Sequence, residues 1–130
     1  MEEIWKRMYE KAKQVQVPRE ISKRVFAGSV AASIESSSGK IYVGVSVDTS
    51  CSLGICAERN ALLNMITSGE NEIKRVLALL PNGKVGAPCG ACRELLVQLM
   101  PDKYKDIEII LDYESAKIIK LGELTPNWWL

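Results

Sequence analysis

Two short stretches, Cys56-Ala57-Glu58-Arg59-Asn60 and Pro88-Cys89-Gly90-Ala91-Cys92, gather three of the four cysteines of a chain without histidine. Thiolates bind zinc, and a CxxC pair across one helix turn plus a cysteine from elsewhere supplies three ligands. A structural zinc is closed by four protein ligands, whereas a catalytic one keeps a position for water. The remaining cysteine, Cys51, lies five residues before Cys56 in a predicted loop, so three ligands plus water is the natural count. Glu58 follows Cys56 by two residues, roughly 200° around a helix of 3.6 residues per turn. At that offset it need not be a ligand itself. From the first turn it can lean over the open side of a metal and carry a proton between water and a substrate nitrogen.

Two helices must hold these groups. Residues 56–66 place Ala57, Ala61, Leu62, Met65 and Ile66 on one face, with Ser68-Gly69 as a stop. Residues 89–100 carry Leu95, Leu96 and Leu99 as a core stripe and end at Pro101. Cys56, Cys89 and Cys92 therefore fall at or near helix N-termini, where unpaired N–H groups and the positive dipole end favour thiolate. Ahead of them, Ile4, Met8, Ala12 and Val15, with Trp5 and Tyr9 alongside, predict a helix that stops before Pro18. A charged connector follows it. Residues 29–34 and 41–47 read as strands joined by a Ser36–Gly39 turn, and residues 76–80 as a strand buried on both faces. Residues 107–111 and 116–121 form a final pair, antiparallel because four residues are too few for a helical crossover. The order α-β-β-α-β-α-β-β predicts one domain over residues 1–130, a three-layer α/β/α sandwich around a five-stranded mixed sheet.

Charge narrows the partners. Seventeen basic and 16 acidic side chains, spread without blocks, leave a net charge of +1, which argues against a nucleic-acid polymer or an anionic bilayer as partner. The first residues carry acids where a secretion signal needs a basic end and an apolar run. A cytoplasmic protein is expected, in which cysteines serve as ligands, catalysts or buried thiols rather than disulfides.

CAERNALL (56–63) with PCGACRELL (88–96) resembles the small, homotetrameric cytidine deaminases of three-cysteine zinc type, with similarity from about Ser29 onward. The resemblance implies hydrolytic deamination of a 4-aminopyrimidine nucleoside, with one Zn2+ per subunit supplying Lewis acidity and ammonia leaving. It places Cys56, Cys89 and Cys92 at the ligand positions and Glu58 at the proton shuttle. Arg59 takes the position of an arginine that donates to the sulfurs and offsets their charge. The backbone at Ala57 and near Pro88 takes the position that meets the base.

One segment departs from the family. Where those enzymes grip ribose with asparagine and glutamate two apart, this chain has Ser46-Val47-Asp48, which lacks the amide's paired donor and acceptor. Ser46 and Asp48 remain the candidate substrate contacts. Residues 29–41 (SVAASIESSSGKI) resemble blasticidin-S deaminases, which makes a blasticidin-type or other amino-heterocycle substrate the alternative. In the tail LTPNWWL, Trp128 or Trp129 falls where relatives send an aromatic side chain toward a neighbouring subunit's pocket. Three other readings stay open: a non-catalytic zinc-stabilised interaction module closed by Cys51, a Cys89–Cys92 redox pair, and a polynucleotide editor.

Overall fold

The computed structural model describes residues 1–130. Helix α1 (Glu3–Val15) buries Trp5, Met8 and Ala12. These positions recur at helical spacing, and withdrawing each large side chain from water stabilises the fold by about 1.5–3 kcal/mol. Met8 and Ala12 face inward as predicted, whereas in the first turn Trp5 is the fully buried residue and Ile4 lies at the rim. The helix ends ahead of Pro18 as expected.

Seven strands follow: β1 (Arg19–Ser22), β2 (Val25–Ser36), β3 (Ile41–Asp48), β4 (Ile73–Leu79), β5 (Val85–Gly86), β6 (Glu108–Asp112) and β7 (Lys117–Lys120). The five predicted strands form the continuous path β3-β2-β4-β6-β7, and β1 and β5 are additions to it. Strand β1 lies in the charged connector; all four of its residues are exposed, so no apolar alternation marked it. Strand β5 is two residues long and doubles back on the end of β4. The sheet is mixed: β2 pairs antiparallel with β3 and β4, β4 runs parallel to β6, and the final pair β6–β7 is antiparallel as predicted.

Helices α2 (Ala57–Thr67) and α3 (Gly90–Leu99) and the short α4 (Leu121–Leu124) complete the chain. Alternating strand residues face opposite sides, and the sheet accordingly separates two cores. Ala31, Leu77, Leu79 and Ile110 meet α1, while Ala32, Ile34, Val76 and Ile109 meet α2 and α3. This is the three-layer arrangement. Two details of the helix faces differ from expectation. In α2, Ile66 is 37% exposed and Glu58 is buried instead. In α3, Cys92, Leu96 and Val97 point inward, leaving Leu95 and Leu99 partly covered.

Candidate active site

Cys56 is the N-cap of α2 and Cys89 the N-cap of α3, both with extended backbone, and Cys92 sits one turn into α3. Each predicted ligand thus stands at the amino end of a helix on the same side of the sheet. Ile55, just ahead of Cys56, is bridged to Val47 of β3 by backbone hydrogen bonds of 2.9 and 3.0 Å. That bridge anchors the entry to α2.

The three sulfurs converge. Sγ of Cys89 lies 3.4 Å from Sγ of Cys56 and 3.4 Å from Sγ of Cys92, and all three lie within 4.8 Å of one another. Tetrahedral zinc with Zn–S bonds near 2.3 Å separates its sulfurs by about 3.8 Å, so this donor set fits a zinc ion. Cys51 is exposed and outside the group. Burial raises the proton affinity of Cys89, but the N–H groups of Cys92 and Ala91 and the neighbouring thiols outweigh it and hold this thiol below its ordinary value. Buried Cys92 is pushed up, first by desolvation and then by the Glu58 charge.

Glu58 is 5% exposed in the first turn of α2. Burial lifts its carboxyl above the ordinary range, against its own backbone N–H, the Cys92 thiol and the Arg59 charge. Arg59 donates from a terminal guanidinium nitrogen to Sγ of Cys56 at 3.5 Å. The hydrogen bond to Cys56 favours its charged form. Ala57, at the amino end of α2, is fully buried.

A cleft of about 330 Å³ adjoins Cys56 and Arg59, within the size range of small-molecule sites. Ser46, Asp48, Thr49 and Cys51 line it. The Ser46 hydroxyl accepts the backbone N–H of Val30 at 3.0 Å, where the β2–β3 register slips, which leaves its O–H free to donate and a second lone pair free to accept. Asp48 is exposed at the end of β3. Trp128 packs against the core shared by α2 and α3 and is not among the side chains lining this cleft, while Trp129 is 70% exposed and donates its indole N–H to Glu94 at 2.6 Å.

Two contributors escaped the sequence reading. Arg93, next to Cys92, donates to the Pro88 carbonyl at 2.8 Å and to the Leu124 carbonyl at 3.0 Å, tying the strand-to-helix turn to the C-terminal segment. Asn60 donates to the Val45 carbonyl at 3.0 Å. Only their closeness to the two motifs hinted at either.

Comparison with known proteins agrees with this geometry. Residues 4–105 match the family model described as the cytidine and deoxycytidylate deaminase zinc-binding region. A cytidine deaminase of Mycoplasma genitalium is 34% identical over 88 residues, 66% of this chain and 67% of that one. A cytidine deaminase of Halalkalibacterium halodurans is 29% identical over 101 residues, covering 75% and 74%. Among solved structures, cytidine deaminase from Mycobacterium tuberculosis superposes with a TM-score of 0.76 at 23% identity over 97% of both chains, a likeness of fold. With its three-cysteine centre, buried glutamate and matching sheet, the chain belongs to the zinc-binding cytidine and deoxycytidylate deaminase family and is a hydrolase acting on a C–N bond.

Proposed function

We propose that residues 1–130 act as one catalytic unit on a free cytosine nucleoside, cytidine or deoxycytidine. Water replaces the exocyclic amine at carbon 4, yielding the uracil nucleoside and ammonia. The observation that carries this reading is the convergence of three sulfurs within 4.8 Å beside a buried Glu58 carboxyl. Cys56, Cys89 and Cys92 would hold the zinc, which supplies Lewis acidity that makes water a nucleophile near neutral pH. Glu58 takes the proton released by water and passes it to the pyrimidine nitrogens, a transfer its raised proton affinity suits. Arg59 draws charge from Cys56, which keeps three thiolates from quenching that acidity. Ala57 and the turn at Pro88 contribute backbone groups to the base.

Ser46 and Asp48 meet the substituent on the base, Ser46 as donor and Asp48 as acceptor. The cleft beside them carries a carboxylate and no basic side chain except Arg59, which favours a nucleoside over a nucleotide phosphate. Because a serine hydroxyl cannot copy the paired donor and acceptor of an amide, a substituent other than plain ribose, as in blasticidin S, is the second reading. Ammonia release from cytidine, deoxycytidine, deoxycytidylate, cytosine and blasticidin S on zinc-replete protein separates these. A homotetramer is part of the proposal, supported by Leu63 and Ile66 exposed on α2 and Trp129 in the tail. Light scattering on purified protein tests it.

A further inference from the structure

Strand β3 pairs with β2 along one edge only. In an antiparallel strand alternate residues turn both backbone groups to the same edge, and Val43, Val45 and Val47 turn theirs away from β2. That free edge is taken by the segment that becomes α2. Val47 exchanges two backbone hydrogen bonds with Ile55, Val45 accepts Nδ2 of Asn60 at 3.0 Å, and Val43 accepts Nδ2 of Asn64 at 2.8 Å. The repeats match: two strand residues advance about 6.6 Å and four helix residues about 6.0 Å, so asparagines four apart reach carbonyls two apart. Gly44, between the two accepting valines, permits the approach. A Cβ there would stand 2.3 Å from the backbone nitrogen of Ala61.

We propose that Asn60 is a positioning residue of the reaction, fixing the first turn of α2 against β3 so that Cys56 and Glu58 meet the two cysteines of α3. Cys56, Glu58 and Arg59 all lie between the Ile55 and Asn60 rungs, whereas Asn64 is one turn farther from the sulfurs. Loss of the Asn60 rung removes the polar tether nearest the sulfurs and leaves the first turn held to β3 by the Ile55 bridge and by packing over Gly44, so its placement relative to α3 is less sharply fixed. Loss of the Asn64 rung weakens only the far end. This inference rests on the functional reading above, because it presumes that Cys56 holds metal and Glu58 moves protons.

The test compares Asn60→Asp and Asn64→Asp, each of which removes the amide donor with little change of shape, using turnover of the zinc protein and the visible absorption of the cobalt-loaded protein. Asn60→Asp should lower kcat by about 10- to 100-fold, as small misplacements of reacting groups do, with little change in KM, and should shift the cobalt bands. Asn64→Asp should lose comparable thermal stability while keeping wild-type kcat and bands. Asn60→Ala serves if the aspartate variant does not fold, and Asn60→Gln, which keeps a donor, should recover part of the rate. Wild-type kcat and bands in the Asn60 variants, or an equal loss of kcat in Asn64→Asp, would overturn the inference. A wild-type protein that binds cobalt yet releases no ammonia from any cytosine compound would overturn the functional reading, while the cobalt bands would still decide the placement of Cys56.

Discussion

At the scale of single residues, division of labour sets what each substitution does. Glu58→Gln keeps the volume and removes the proton carrier, so turnover should fall by about 10²- to 10⁴-fold with zinc content unchanged, checked by ammonia release beside metal analysis. Cys89→Ala removes a ligand instead; zinc stoichiometry and melting temperature should fall together, since metal binding is coupled to folding. A Cys89→Ala protein that keeps one zinc per chain would contradict the ligand assignment. That Cys56, Cys89 and Cys92 come together was legible from spacing, because zinc chemistry restricts both the donor types and their separation along a helix turn, whereas Arg59 was singled out only by the family resemblance. Asn60 and Arg93 were not legible, because Asn60 meets a carbonyl 15 residues away and Arg93 joins the nearby Pro88 carbonyl to one 31 residues away, and an asparagine on a helix surface reads the same whether it meets a strand or water. Ser46, a candidate from its place two residues before Asp48, lines the cleft, but its hydrogen bond to Val30 depends on a register slip in β2 that no residue pattern records.

At the scale of elements, the contact of α2 with β3 decides the geometry. Gly44→Ala would force a methyl into the α2 backbone and should cost about 1–3 kcal/mol, read from denaturant unfolding. At the other end of α2, Tyr42 donates to Glu70 at 2.5 Å, and hydrogen bonds from Ser38 and Tyr42 hold the Glu70 carboxyl below its ordinary value. A depressed carboxyl contributes stability that is present above its unfolded value and is lost as pH falls through the folded one. The melting-temperature gap between wild type and Tyr42→Phe should therefore be full near neutral pH and shrink in acid; a gap that grew in acid would contradict the assignment. Elements with strong apolar periodicity were legible to within a few residues: α1, the β2–β3 hairpin and the β6–β7 pair. Strand β1 was not, because its four exposed residues bury nothing and only backbone pairing with β2 makes it a strand. The inner face of α3 was misjudged around Val97, since Leu95, Leu96 and Leu99 are equally apolar and the position of the sheet chooses among them.

At the scale of the whole molecule, the sheet carries two helices whose amino ends meet over one cluster of sulfurs, with a cleft alongside. The three-layer architecture followed from element order, whereas the cleft arises where the end of β3, the loop after it and the first turn of α2 come together, which no residue pattern records. Because the two cysteine-bearing helices come from separate parts of the chain, a metal linking them should stabilise the fold, and chelation should lower the melting temperature reversibly. The central claim is that this cluster is a zinc centre of cytosine deamination. Its most direct measurement is ammonia release from cytidine as zinc is added back to metal-free protein. Turnover should rise linearly and saturate at one zinc per chain. Full activity without zinc, or a fully zinc-loaded protein that releases no ammonia from cytidine or any other cytosine compound, would contradict the account.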